Sequence, residues 1–208
     1  MTHPLTKRQQ QGEGSRELIL DATERLMATR GYAGTSISDI RKACGLPASS
    51  IYWHFGSKDG VLAAVMERGA SRFFAAIPGL TDGEANPGPE IQLEATARLV
   101  AEHPDFLRLA YLLGLERGND PAVAAAVRRV RDTAIAGWRS AVTALLPEDI
   151  SPEKAERVAA EAAAIAVAMS DGVFLADHFE PESTDVARMY RRLFQAITAL
   201  LPDLLEDE

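Results

Sequence analysis

The segment from Thr35 to Asp59, TSISDIRKACGLPASSIYWHFGSKD, constrains the fold of this chain more than any other part of its sequence. Ser36, three residues before Asp39, has the spacing of a capping box at the start of a helix. Gly45 stands where the end of that helix favours a left-handed backbone, and Pro47 stands near the start of the next helix. The segment therefore predicts two short helices joined by a tight turn, the helix-turn-helix arrangement.

Apolar residues at helical spacing give each of the two helices one inward face. Ile37, Ile40 and Cys44 form a narrow stripe on the first helix, and Ile51 and Phe55, four residues apart, anchor the second. Both stripes are short, so each helix buries only one side.

The second helix carries more aromatic rings than its inward face can hold. Tyr52, Trp53 and His54 remain for its surface, which we interpret as a surface for contact with DNA. No Lys or Arg lies between Lys42 and Lys58, so bidentate arginine–guanine contacts cannot come from this helix. Base readout must then use hydroxyl groups, aromatic rings and apolar contacts with thymine methyl groups.

Three stretches of the first 65 residues resemble the DNA-binding domain of the TetR family of bacterial transcriptional regulators. They are RGYAGTSISDI at 30–40, ACGLPASSIYWHF at 43–55 and GSKDGVLAAV at 56–65. Residues 15–30 match the first helix of the family. The remaining two-thirds of the chain resembles the family only in its helical pattern.

The resemblance and the helical periodicity together predict an all-α fold in three parts. Residues 1–14 are polar and are predicted to be a disordered tail. Residues 15–60 are predicted to form a three-helix DNA-binding domain with a helix-turn-helix, and residues 61–208 a larger helical domain for ligand binding and dimerisation. Three prolines and three glycines between 78 and 89 predict a loop.

The charge distribution fits a DNA-binding head on an acidic body. The chain has a net charge of −8, but residues 1–60 hold eight Lys and Arg against six Asp and Glu, a net charge of +2. The single cysteine, Cys44, allows no intramolecular disulfide, and we find no signal sequence and no apolar run near the ~20 residues of a membrane span. The sequence therefore predicts a soluble, cytoplasmic protein.

The resemblance implies a ligand-responsive transcriptional regulator, most often a repressor. Such a protein binds a palindromic operator in double-stranded DNA as a homodimer and is released by a small hydrophobic effector. Thr35, Ser36, Ser38 and Lys58 match phosphate-contacting positions of the family. The full set of predicted DNA-contacting residues is Thr35, Ser36, Ser38, Pro47, Ala48, Ser49, Ser50, Tyr52, Trp53, His54 and Lys58.

An alanine-rich segment at 159–168 and a heptad-like seam in the last helix suggest a two-helix dimer face. Periodicity alone fits equally well with seams that fill the core of one chain, and the family resemblance favours the dimer. The predicted interface residues are Val158, Ala162, Ile165, Ala166, Met169, Tyr190, Leu193, Ile197 and Leu200.

Large side chains on the C-terminal helices are candidates for lining an effector cavity, although ordinary core packing explains each one as well. They are Phe74, Phe106, Arg108, Tyr111, Leu115, Trp138, Met169 and Phe174. No catalytic ordering of nucleophile and base, no glycine-rich phosphate loop and no metal-ligand spacing was found, so we predict no enzymatic activity and no cofactor. The alternative function is an all-helical protein–protein adaptor that does not bind DNA.

Overall fold

The computed structural model describes residues 7–31, 33–81, 87–102 and 105–206. In these ranges the chain forms nine α-helices and no strand, which confirms the predicted all-α fold. The helices are α1 Lys7–Arg30, α2 Ile37–Cys44, α3 Ala48–Phe55, α4 Lys58–Ala75, α5 Pro89–Glu102, α6 Asp105–Arg117, α7 Pro121–Thr143, α8 Pro152–Phe179 and α9 Val186–Glu206.

The helices group into two compact units. The first unit holds the described residues up to Gly69 together with 105–127, and the second holds those of 70–104 and 128–208. Helices α4 and α7 therefore contribute residues to both units. The grouping places α6 with the N-terminal helices, which the boundaries predicted at 15–60 and 61–208 did not anticipate.

Helix α1 begins earlier than the sequence suggested. It starts at Lys7, so residues 7–14 are helical where a disordered tail was predicted, while residues 1–6 of that tail lie outside the described residues. The segment is rich in Lys, Arg and Gln, which have good helix propensity and can extend a helix beyond its apolar face. The prediction of disorder is therefore wrong for residues 7–14.

Four fully buried side chains form the centre of the helix-turn-helix region. Ile19 of α1, Ile40 of α2, Ile51 of α3 and Val61 of α4 pack together. This cluster confirms the inward faces predicted for α2 and α3. The partly buried residues packed against it are Leu26, Ile37, Cys44, Leu46 and Phe55.

The ends of α2 have the predicted caps. The Ser36 hydroxyl accepts a hydrogen bond from the Asp39 N–H at 3.2 Å, and the Ser36 N–H donates to the Asp39 carboxylate at 3.2 Å. Gly45 has a φ of 73°, and its N–H donates to the Arg41 carbonyl at 3.0 Å. These caps satisfy backbone groups that would otherwise be unpaired, and they fix the turn before α3.

A cluster of charges joins α1 to α4 inside the first unit. The Arg68 guanidinium binds Glu17 at 3.1 Å, Asp21 at 2.8 Å and also Glu24. The Arg68 side chain is only 13% exposed. Burial disfavours its charge, but the hydrogen bonds and negative charges of the three carboxylates prevail and raise the pKa of Arg68.

Helices α4 and α6 approach each other closely in the same unit. A Cβ atom at Gly69 would lie 2.7 Å from the Cβ of Phe106, so the absence of a side chain at Gly69 permits the contact. Arg117 of α6 also pairs with Asp59 of α4 at 3.7 Å.

The core of the second unit is built by α8 and α9, with α5 also packed on α9. Alanines of α8, including Ala159, Ala162 and Ala166, are fully buried. Helix α9 continues through Pro202 to Glu206. Leu201 and Leu204 are both buried, and their packing holds the last turn although the proline N–H is missing.

Among the described residues, α8 has the length and the apolar composition that a membrane-spanning helix would need. The expectation that no segment has this character is therefore wrong for α8. Length and composition are weak evidence for a membrane span, because a core helix passes the same test, and much of α8 is buried against other helices of its unit.

Candidate nucleic-acid interface

Helix α3 has one buried face and one exposed aromatic face. Ile51 is fully buried in the cluster described above, which fixes the rotation of the helix. The side chains that follow it point outward: Tyr52 is 51% exposed and Trp53 is 77% exposed. Exposure of two large rings in succession is costly in water, so this face has the character of a contact surface.

Ten of the eleven predicted DNA-contacting residues are at least partly accessible. Their positions span α3 and the helix starts on either side of it. Ser36, Ser38, Pro47, Ser49, Tyr52 and Trp53 are exposed, and Ala48, Ser50, His54 and Lys58 are partly exposed.

Thr35 is the exception, and its prediction as a DNA contact is wrong. The residue is fully buried, and its hydroxyl donates a hydrogen bond to the Gly31 carbonyl at 2.8 Å. The hydroxyl therefore closes the turn between α1 and α2 and does not reach the surface. Ser36, next in sequence, is exposed but is engaged in the cap of α2.

His54 lies between two other rings at the end of α3. Its ring centroid is 4.5 Å from that of Trp53 and 5.9 Å from that of Phe55. Burial, and to a smaller extent the positive charge of Arg16, lowers the pKa of His54 below its ordinary value. The lowered pKa favours the neutral form of His54 at pH 7.

The start of α2 carries a carboxylate that is held ionised. Hydrogen bonds from Ser36 to Asp39 lower the pKa of the Asp39 carboxyl, and Arg30 pairs with it at 3.3 Å. A negative charge in the first turn also suits the helix dipole. Arg41 and Lys42, in the last turn of α2, are exposed.

Sequence reasoning did not find Arg16, which the fold brings to the end of α3. The Arg16 guanidinium lies 5.5 Å from the centroid of the Phe55 ring. The two residues are far apart in sequence, and Arg16 belongs to no motif, so the sequence held no signal for this contact.

Most residues predicted for the dimer interface are instead buried within the second unit. The alanine face of α8 packs on the heptad-like seam of α9 in the same chain, so most of each seam is closed to a partner. The prediction is therefore wrong for the buried residues Val158, Ala162, Ala166, Tyr190, Leu193 and Ile197. Ile165 and Leu200 are partly buried, and Met169 is exposed.

The predicted effector-binding residues are divided between the two units. In the first unit, Phe106 is buried against Gly69 and Tyr111 is partly buried, whereas Arg108 is exposed and Leu115 is 86% exposed. Leu109 and Leu113 occupy the buried face of α6, which turns Arg108 and Leu115 outward. These two residues do not line a cavity in this chain, and their prediction is corrected.

In the second unit, Phe74 and Phe174 are buried, Trp138 is partly buried and Met169 is exposed. The Phe174 ring stacks on His178 with a centroid distance of 6.1 Å. Burial raises the pKa of Tyr190 to about 12. Phe74 and Phe174 are therefore part of the apolar core of this unit.

An all-α chain with a capped helix-turn-helix and an exposed aromatic face on its second helix belongs to the structural class of helix-turn-helix proteins. The family model described as "Bacterial regulatory proteins, tetR family" matches residues 19–65. Residues 19–65 of the chain are thus similar to the DNA-binding domain of the TetR family.

Individual proteins are similar to part of the chain. The chain is 35% identical over 102 residues to the HTH-type transcriptional regulator AcrR of Shigella flexneri, a match that covers 49% of this chain and 40% of that protein. The match thus spans less than half of the relative's length.

Solved structures resemble the chain over most of its length. A transcriptional regulator from Rhodococcus sp. Rha1 superposes with a TM-score of 0.65 at 21% identity, covering 91% of this chain and 97% of that one. Thermus thermophilus FadR, a TetR-family repressor in complex with lauroyl-CoA, has a TM-score of 0.63 at 18% identity, covering 93% and 96% of the two chains. At these identities the similarity shows a shared fold.

Proposed function

We propose that this protein is a transcriptional regulator that binds a palindromic operator as a homodimer and represses the genes it controls. The observation that carries the proposal is the exposed aromatic face of α3. The burial of Ile51 on the opposite side fixes the orientation of this face. In helix-turn-helix dimers the second helix enters the major groove, and two such helices meet successive grooves about 34–36 Å apart. A protein acting on DNA in this way would work in the bacterial cytoplasm and would need no catalytic activity.

The absence of Lys and Arg from α3 limits the kind of readout we propose. The hydroxyls of Ser49 and Ser50 and the rings of Tyr52 and Trp53 would contact base edges, with Pro47 and Ala48 near thymine methyl groups. Lys58, at the start of α4, would bind a phosphate beside the N-terminal amides of that helix. Ser36 and Ser38 would lie near the backbone at the start of α2.

Substitution of Trp53 tests this proposal directly. W53A should weaken binding to the DNA upstream of the protein's own gene by about tenfold or more, because each lost base contact is worth about 1–3 kcal/mol. Fluorescence anisotropy or a gel shift at low salt measures this change. F179A is the matched control, since Phe179 is a ring of similar exposure, 72%, on α8. Failure of the wild-type protein to bind that DNA would favour the adaptor alternative.

We propose that dimerisation uses the outer face of α8 and α9, not the seams between them. Exposed small and apolar residues recur on α8 at helical spacing: Ala164, Ala168, Gly172 and Leu175. A Cβ atom at Gly172 would meet open space, so a partner helix has room to approach. Exposed Met189, Ala196 and Ala199 continue the same character on α9.

We further propose that a small hydrophobic effector regulates DNA binding. The buried rings of the second unit, Phe74 and Phe174, and the partly buried Trp138 support an apolar site there. Asp171, paired with Arg131 at 2.9 Å, is a polar group on α8 three residues before Phe174. The effector must bind the DNA-incompetent state more tightly, since equal affinity for both states shifts nothing.

A thermal-shift screen of apolar compounds tests the effector proposal. A true effector at 100 times its Kd should stabilise the protein by about 2.7 kcal/mol and should also release the operator. A compound that raises the melting temperature without affecting operator binding is not an effector, and a flat response across a broad apolar library would contradict the proposal.

A further inference from the structure

The charge needed at the α3 surface must come from outside α3. Phosphate and sugar contacts make up half to two-thirds of the hydrogen bonds in protein–DNA interfaces, and they fix the position of the protein on the duplex. Helix α3 holds Tyr52, Trp53 and His54 but no Lys or Arg, and the lowered pKa of His54 favours its neutral form. A cation carried by another element and held beside α3 would supply a positioning contact.

Arg16 of α1 has this placement. Its guanidinium lies 5.5 Å from the centroid of the Phe55 ring, the last residue of α3, and its charge acts on the neighbouring His54. The Arg16 side chain remains 45% exposed. A guanidinium that stacks by its flat face keeps the N–H groups at its edge available for donation.

The acidic residues of α1 also form ion pairs with Arg68 of α4. One oxygen of Glu17 pairs with Arg16 at 3.3 Å, but its other oxygen binds Arg68 at 3.1 Å. Arg68 also forms ion pairs with Asp21 and Glu24. The pair of Arg16 with Glu17 joins two exposed groups and is worth at most about 1 kcal/mol, so a phosphate can compete for the guanidinium.

We propose that Arg16 donates a hydrogen bond to a phosphate of the DNA backbone at the edge of the groove that α3 enters. The inference rests on the proposed DNA-binding function. The contact would be sequence-independent, and it would set the position of α3 along the groove through the shared contact with Phe55. Arg16 would therefore be a DNA-binding residue carried by α1, outside the helix-turn-helix segment.

The salt dependence of DNA binding tests the proposal. R16Q should make the plot of log K against log salt shallower by about 2 for a dimer, because one released counterion is lost for each of two contacts. Its affinity should fall by the same factor for operator and for unrelated DNA. R25Q is the matched control, since Arg25 is an exposed arginine on the same helix, and it should keep the wild-type slope.

A lysine at the same position separates charge from packing. R16K keeps the positive charge but loses the planar stack on Phe55, so its slope should stay close to that of the wild type. Equal slopes for R16Q and R25Q, or an R16K slope as shallow as that of R16Q, would overturn the inference. If the wild-type protein itself does not bind the operator, the proposed function is wrong. Failure of the Arg16 inference and failure of the proposed function are therefore distinguishable.

Discussion

Adjacent side chains of α3 have opposite environments. Ile51 is fully buried and joins three other helices in one cluster, whereas Trp53, two positions later, is 77% exposed. Between Trp53 and Phe55, His54 is partly buried and has a lowered pKa, caused first by burial and then by Arg16. Environments that differ this sharply along one short helix separate the residues that hold α3 from those that face outward.

The titration of His54 gives a prediction at this scale. Because the folded-state pKa of His54 lies below its ordinary value of 6.5, the unfolded chain takes up a proton first as the pH falls. The stability contributed by neutral His54 is present above pH 6.5 and is lost as the pH falls toward the folded-state pKa. The free energy of unfolding should therefore drop more between pH 7.5 and 5.5 in the wild type than in H54Q, as measured by urea denaturation.

An NMR titration of the His54 ring protons tests whether Arg16 contributes to the lowered pKa of His54. The pKa should lie below 6.5 in the wild type and should rise toward 6.5 in R16Q, because one of its two causes is removed. A His54 pKa at or above 6.5 in the folded wild-type protein would contradict this prediction.

At the scale of the element, the caps of α2 fix the turn between α2 and α3, and this turn determines the orientation of α3. The reciprocal hydrogen bonds of Ser36 and Asp39 close the start of α2, and the left-handed Gly45 closes its end. Helix α2 spans only eight residues, so it is too short to be stable by propensity alone. Its caps and its packing through Ile40 therefore carry most of its stability.

Removal of the N-cap has a predictable effect. S36A should lower the free energy of unfolding by about 1 kcal/mol, since an alanine side chain cannot accept a hydrogen bond from the Asp39 N–H. S38A is the control, because Ser38 is exposed on the same helix and takes no part in the cap. Chemical denaturation of the full chain measures both variants. Equal stabilities for S36A and S38A would show that the capping box contributes nothing.

On the scale of the whole molecule, α8 and α9 have two kinds of apolar face, which differ in their exposure. One face of each helix is buried against the other within the chain, as in Ala162, Ala166 and Leu193. The other face, with Ala168 and Leu175, is exposed in a single chain. An exposed apolar stripe on a long helix is typical of an interface with another protein.

The oligomeric state distinguishes these two faces. A168E should shift the protein from dimer to monomer without loss of helix content, because it places a charge in the proposed interface and not in the core. A187E is the matched control on another exposed part of α9 and should leave the dimer intact. Light scattering coupled to size exclusion measures the mass. A monomeric wild type, or a dimeric A168E, would contradict the proposed interface.

The sequence by itself determined the features that depend on neighbouring residues. The capping box at Ser36, the turn at Gly45 and the inward position of Ile51 all follow from spacings of three or four residues, and the structure has each of them. The all-α class and the resemblance to the TetR family follow from the same local patterns. Local hydrogen bonds and helical periodicity act over one or two turns, so they can be read without knowledge of the fold.

Only the tertiary structure decided which surfaces meet. Periodicity marked the seams of α8 and α9 as apolar but could not distinguish a core within one chain from an interface between two. Periodicity likewise could not predict that Arg16 lies beside Phe55, that Thr35 is buried, or that Leu115 points outward. These outcomes depend on how helices distant in sequence rotate and pack against one another, and no local pattern encodes that choice.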